Sequence, residues 1–336
     1  MSEVVLTANP GEGTISALRL DRAAGQLVPL ATSGELPGCG TFVIDEPHDL
    51  VYAAYKGDSP GVATLRLDRA TGELTELSRS GTGGSLTYLC LAHEGRFLLG
   101  VSYGAGHGWV WPVAQGVVGP AISEFSYRNL HCIVAAGSRV YAVSLGEDLI
   151  AQFHLSPDGI LSPLEPLVAP APRGSGPRHL SLDGENAYLV TEFSGVAIRY
   201  EVAPHGPLTP AESVDVLIPG SGLAPSAFGW DPGAAALIWG ADIWRAGRWL
   251  LTSERSTSTI TSTPVAADGR LGEPAAYSPT ERQPRGFTVT ADGAYVIVVG
   301  ERSAHAALSR LESDGSLTLL DRVAVGAGAN WVRVVP

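Results

Sequence analysis

Seven short apolar runs recur along the chain: VVLTAN around Val5, LVYAAY around Tyr52, FLLGVSY around Leu99, RVYAVSL around Tyr141, AYLVTE around Tyr188, WLLTSER around Leu251 and YVIVVGE around Ile297. Successive copies stand 42–47 residues apart, except for one interval of 63. A second signal keeps the same beat: DRAAGQL at Asp21, DRATGEL at Asp68, SPDGIL at Ser156, AADGRL at Ala266 and ESDGSL at Glu312. Their glycines supply the positive φ of a tight hairpin turn, and a polar strand start follows each. Segments such as GTISALRLD and GVATLRLD alternate as strands do, and no stretch sustains a 3.6-residue period. Four strands per unit of about 40–50 residues predict an all-β fold, a seven-bladed β-propeller filling residues 1–336 as one domain.

The ends of the chain fit this reading. The first repeat opens directly on its second strand, and the missing first strand is found at the far end, in ANWVRVVP. Blade one is therefore expected to be shared between residues 1–35 and 328–336. The C-terminal strand would close the ring and leave no open sheet edge. The long interval contains a Gly/Pro/Ser-rich segment, expected as an inserted loop at about 218–235.

Composition changes the picture only at a few points. Length alone suggests two domains of roughly 150 residues, but the repeat overrides it. Net charge is −12 with no block of like charges, which argues against nucleic-acid binding and requires a local cationic pocket for any anionic ligand. No apolar run approaches the ~18 residues of a membrane span, and MSEVVLTANP lacks a charged-then-apolar leader, so a cytoplasmic protein is expected. Cys39, Cys90 and Cys132 are few and far apart, as for reduced thiols. His48, His93, His154, His205 and His305 have no zinc-ligand spacing, and no metal or cofactor is expected. The tryptophans of the sixth repeat, Trp230, Trp239, Trp244 and Trp249, read as packing between blades.

Equivalent positions on successive blades converge on the propeller axis, so chemistry should appear where one repeat carries an ionisable residue and the others do not. GPRH precedes blade five with Arg178 and His179, and NLHC precedes blade four with His131. The second-strand ends bring Glu192 and Arg255, matched elsewhere by Tyr55 or Lys56, Tyr103, Leu145 and Glu301. His107 follows a Gly-rich turn. Strict alternation along an extended strand would turn His179 away from Arg178, which favours a supporting place behind the site. Lys56 reads more readily as a solvated side chain than as an anion contact.

GPRHLSLDGENAYLVTE, GADIWRAGRWLLTSERSTS and TERQPRGFTVTADGAYVIVVGE resemble the lactonase family of seven-bladed propellers, and within it the bacterial cycloisomerase-like 6-phosphogluconolactonases. The likeness runs over nearly the whole chain. It implies hydrolysis of a sugar lactone, 6-phosphogluconolactone to 6-phosphogluconate, by metal-independent acid–base chemistry at the axial mouth. It also implies that His131, Glu192, Arg178 and Arg255 meet in this mouth; the expected catalytic residues are His131, Glu192 and Arg255, with Arg178, His179, Tyr103, His107, Asp242 and Arg285 expected around the substrate. Either Glu192 or His131 could be the general base. The expected partner is a small anionic lactone, with no membrane and a monomer or weak homodimer. Cys132, Tyr88 and the Thr-Glu-Phe ending at Phe193 depart from the family pattern near the expected mouth. Two rivals follow: a lactonase or cycloisomerase for another anionic lactone, and a non-catalytic binding propeller. The latter predicts Glu192 well beyond ~10 Å from Arg178 and His131, too far for cooperation through hydrogen bonds.

Overall fold

A computed structural model describes residues 3–204 and 206–336; His205 and the first two residues lie outside the described part. Seven antiparallel sheets follow one another in chain order. Among the described residues the only helical element is a single 3₁₀ turn, Glu46–His48. No helix among the described residues is long and apolar enough to cross a membrane.

The repeated apolar run is the second strand of every blade, as in Phe97–Ser102 and Trp249–Glu254, which are buried along their whole length. It is apolar without alternation because both faces of each sheet are covered by neighbouring blades. Fourth strands such as Leu74–Gly81 lie at the rim, where every position is half-buried or exposed. The core is correspondingly divided. Seven apolar clusters each join two adjacent blades, such as Val101 and Val110 against Ile133 and Val140 between blades three and four.

Trp331–Val335 pairs with Glu3–Asn9, so the C-terminal strand supplies the innermost strand of blade one. Trp331 anchors it: the indole N–H donates to the Phe42 carbonyl of blade two at 2.8 Å, and Tyr88 meets the ring edge-on at 5.0 Å. Between Leu208–Asp215 and Gly240–Ala246 the chain leaves the regular pattern, and there lies the extra length of the long interval.

Three inner strands carry a β-bulge at their axial start. Pairing slips at His131, between Leu130 and Cys132; at Arg178, between Pro177 and His179; and between Gly240 and Ile243, around Asp242. A bulge adds one residue opposite a regular partner and re-aims its side chain. Arg178 and His179 therefore do not point apart as alternation requires. Both are buried, and they touch each other.

Replacing Trp331 with Ala removes the anchor of the closing strand and is expected to lower unfolding stability by about 3–5 kcal/mol. Denaturant titration checks this; a loss below about 1 kcal/mol would show that the ring does not depend on that contact.

Candidate active site

A cavity of about 400 Å³ opens at the mouth where inner strands begin and second strands end. Gly40, Thr87, His131, Arg285 and Asn330 line it from the starts of five inner strands, and Lys56, Tyr103, Glu192 and Arg255 from the ends of four second strands. Trp239 completes the wall from the end of the irregular segment before blade six.

At its centre is a carboxylate held by two guanidinium groups. Arg178 Nε donates to Glu192 Oε2 at 2.8 Å, and Arg255 Nη2 lies 3.0 Å from the same oxygen. Oε1 of Glu192 has no hydrogen-bond partner among the described residues. Arg255 is fixed further by the carbonyls of Trp239 and Gly240, and its guanidinium stacks 3.9 Å over the Trp239 ring. Its Nη1 stands 3.9 Å from Glu301, beyond hydrogen-bond length. Arg285 donates to Glu301 Oε1 at 2.8 Å.

These groups form a gradient from floor to rim. Side-chain exposure rises from 1% at Arg178 and 2% at Arg255 to 16% at Glu192, 23% at Glu301 and 33% at Arg285, with Lys56 exposed at the edge. Counting the cavity wall and its direct ion partners among the described residues, the four cations Lys56, Arg178, Arg255 and Arg285 face only Glu192 and Glu301. Two positive charges are in excess, in a protein whose net charge is −12.

That excess governs protonation. Burial alone would raise the Glu192 pKa, but Arg255, Arg178 and Arg285 outweigh it and hold the carboxyl below its usual range. Burial, then the nearby Arg178, pushes His131 well below the ordinary imidazole value. His131 is thus neutral, and its Nδ1 is buried with no partner among the described residues. Burial also disfavours the charge on Arg178 and Arg255, yet a guanidinium in contact with a carboxylate keeps its proton.

Arg178 is packed beneath the cavity instead of lining it. The bulge aims its Nη1 at the Ala241 carbonyl and His179 Nε2, while Nε reaches Glu192. The preceding Gly176 makes this possible: φ is +63°, and a Cβ there would lie 2.5 Å from the Phe193 ring. Asp148 of blade four fixes the approach through the amides of Gly174 and Gly176. His179 and Asp242 are also below the floor, joined by a 2.7 Å hydrogen bond. None of these three therefore belongs to the substrate-lining set expected for them. His107 is not at the site either. It begins a third strand, His107–Ala114, further from the axis, where it bonds Ser126 and stacks on Trp109. Tyr103 does line the cavity and meets His131 edge-on at 5.9 Å.

Sequence reasoning set aside Lys56 as solvated, and it lines the cavity. It took Trp239 as packing, whereas one face of its ring carries Arg255. Of the other three tryptophans, Trp249 does pack between blades, Trp244 lies against the same cluster, and Trp230 is exposed. Asn330 and Thr87 went unnoticed, although both occupy the repeat offset of His131. The three departures lie outside the cavity. Cys132 is buried between blades, Tyr88 packs on His179 and Trp331 below the floor, and Phe193 covers Gly176.

The 2.8 Å contact of Glu192 with Arg178 and the shared cavity with His131 oppose the dispersed arrangement of a mere binding propeller. The family described as Lactonase, 7-bladed beta-propeller, matches residues 5–334. The chain belongs to this lactonase family. The lactonase is 32% identical over 260 residues, 75% of each chain, to the 6-phosphogluconolactonase of Klebsiella pneumoniae strain 342. Over 99% of its length it is 29% identical to that of Cronobacter sakazakii, of which 98% is covered. Among solved structures, a Bacteroides fragilis protein gives a TM-score of 0.88 at 22% identity, covering 100% of this chain and 98% of the other. The periplasmic gluconolactonase of Pseudomonas aeruginosa gives 0.87 at 24%, covering 100% and 99%. These two likenesses speak for the fold.

The protonation states make the lactonase acid-labile. His131 titrates well below 6.5 in the folded protein, and His179 at about 4. Between those values and 6.5 the unfolded chain binds the protons, so stability is full above about pH 6.5 and declines as pH falls. Glu192, with its lowered pKa, acts in the same direction at lower pH. Denaturation midpoints measured from pH 7 to pH 4 should fall steadily; a flat or rising series would contradict neutral, buried imidazoles.

Proposed function

We propose that this lactonase hydrolyses a phosphorylated sugar lactone, 6-phosphogluconolactone, to 6-phosphogluconate, the ring-opening step of the pentose phosphate pathway. The observation that carries this reading is the excess of two positive charges in the cavity. A phosphate monoester brings about −1.5 to −2 charge near pH 7, whereas an unphosphorylated aldonolactone brings none. The names of the Klebsiella and Cronobacter relatives support the same substrate. A charged sugar phosphate does not cross membranes readily, which fits a cytoplasmic location.

The gradient of exposure suggests how the substrate lies. Lys56 and Arg285, at the rim, are assigned to the phosphate, and Glu192, Arg255 and His131, deeper, to the lactone carbonyl. Either tautomer of neutral His131 leaves the buried Nδ1 unpaired. Burying an orphan N–H is the rarer and costlier case than burying a lone pair, so the proton belongs on Nε2, and His131 acts as a donor. That leaves Glu192 Oε1 as the base.

A water held by Oε1 gives its proton to Glu192 as its oxygen attacks the carbonyl carbon. The carbonyl π pair moves onto oxygen, where Arg255 Nη1–H and His131 Nε2–H stabilise it. Collapse of this tetrahedral species breaks the bond to the ring oxygen, which takes the proton back from Glu192. The product carboxylic acid then ionises to solvent.

The test is pH-stat turnover of 6-phosphogluconolactone. Glu192→Gln should lower kcat by about 10²-fold or more, and His131→Ala by about 10²–10³-fold. A Glu192→Gln protein of wild-type turnover would remove the carboxylate from the chemistry. Failure of the wild type to hydrolyse this lactone would overturn the substrate.

A further inference from the structure

Beneath the cavity a line of buried groups runs from blade six to blade five: Asp242, His179, Arg178 and then Glu192. Each link is short. Asp242 Oδ1 is 2.7 Å from His179 Nδ1, His179 Nε2 is 3.2 Å from Arg178 Nη1, and Arg178 Nε is 2.8 Å from Glu192 Oε2. Asp242 is itself immobilised. Its amide donates to Ser253 Oγ, its Oδ1 also accepts from the Ile243 amide, and its Oδ2 accepts from that of Phe287 at 3.3 Å.

The chemistry of the ends dictates the middle. A carboxylate can only accept and a guanidinium can only donate. His179 must therefore carry its proton on Nδ1, toward Asp242, and present the Nε2 lone pair to Arg178. A second proton on Nε2 would face the Arg178 N–H directly. The ring is held in place by Tyr88 edge-on at 5.2 Å, Trp331 at 6.1 Å and His131 at 5.1 Å.

We propose that Asp242 and His179 are positioning residues that orient Arg178 and, through it, lock Oε2 of Glu192 so that Oε1 faces the substrate. The inference rests on the lactonase reading of Glu192 as the base. It gives Asp242 and His179 a role without substrate contact, which accounts for their burial. It also explains the bulge at Arg178, which brings two consecutive side chains to the same side.

Two variants separate the links. The amide of His179→Asn matches the Nδ1 position, toward Asp242, while that of His179→Gln reaches the Nε2 position and can accept from Arg178. His179→Asn should lower kcat roughly 10–100-fold, the usual loss for a supporting partner, with little change in KM. His179→Gln should recover most of that loss. The pH profile supplies a readout that a merely structural defect would not move. Glu192 faces Arg178 from blade five, Arg255 from blade six, Arg285 and Glu301 from blade seven, His131 from blade four and Tyr103 from blade three. Loosening Arg178 weakens one of the cations that hold Glu192 ionised, so the Glu192 pKa rises and the acid limb of kcat moves to higher pH in the Asn variant. Equal kcat in the two variants, or a fall in kcat with an unmoved acid limb, would overturn the proposal. An inactive wild type would instead defeat the lactonase reading. The Nδ1–H of His179 remains separately readable as a downfield proton resonance, and its absence from the wild-type spectrum would overturn the Asp242–His179 link on its own.

Discussion

Arg178 is a guanidinium withdrawn from water at the heart of a propeller. An unpaired charge in that position costs several kcal/mol even after relaxation, so its neighbours are constrained by the need to satisfy it. Nε is met by Glu192, and Nη1 by the Ala241 carbonyl and the lone pair of His179. Glu192 in turn is stabilised as a carboxylate by Arg178 and Arg255, and Arg255 by the carbonyls before blade six and by the face of Trp239. Replacing Glu192 would leave both buried guanidinium groups without the carboxylate they share. The cluster is thus tied together as a unit, which suits the proposed site, where one carboxylate oxygen is offered while the other is held.

The propeller makes such a cluster possible at all. Its members come from positions as far apart as Lys56 and Arg285, and they meet only because each blade delivers the same two offsets to the axis. Ring closure through Trp331–Val335 fixes the distance between the first and last blades. Trp331 also packs on Tyr88 and His179, so the closing strand contacts the layer just beneath the site.

Much of this was legible in the sequence because the fold is periodic. The apolar second strands located all seven blades, and their C-terminal ends pointed directly to Glu192 and Arg255. The same offset pointed to Lys56, but one residue gives no hint that it shares a cavity with Arg285. Side-chain direction at Arg178 and His179 was not legible. The pleat rule turns consecutive residues apart, and a bulge, which depends on Gly176 and on pairing with blade five's second strand, suspends the rule. His107 misled for the opposite reason: a Gly-rich turn looks alike whether it faces the axis or a third strand. Trp239 belongs to the irregular segment before blade six, where the period is lost.

On the proposed reading, excess positive charge in the mouth selects a phosphorylated lactone. Comparing kcat/KM for 6-phosphogluconolactone and for glucono-1,5-lactone under the same pH-stat conditions measures that selection. Charge-assisted hydrogen bonds contribute roughly 1.5–3 kcal/mol each, so two rim cations should favour the phosphorylated substrate by at least about 100-fold. Equal values for the two lactones would show that the rim cations do not select the phosphate.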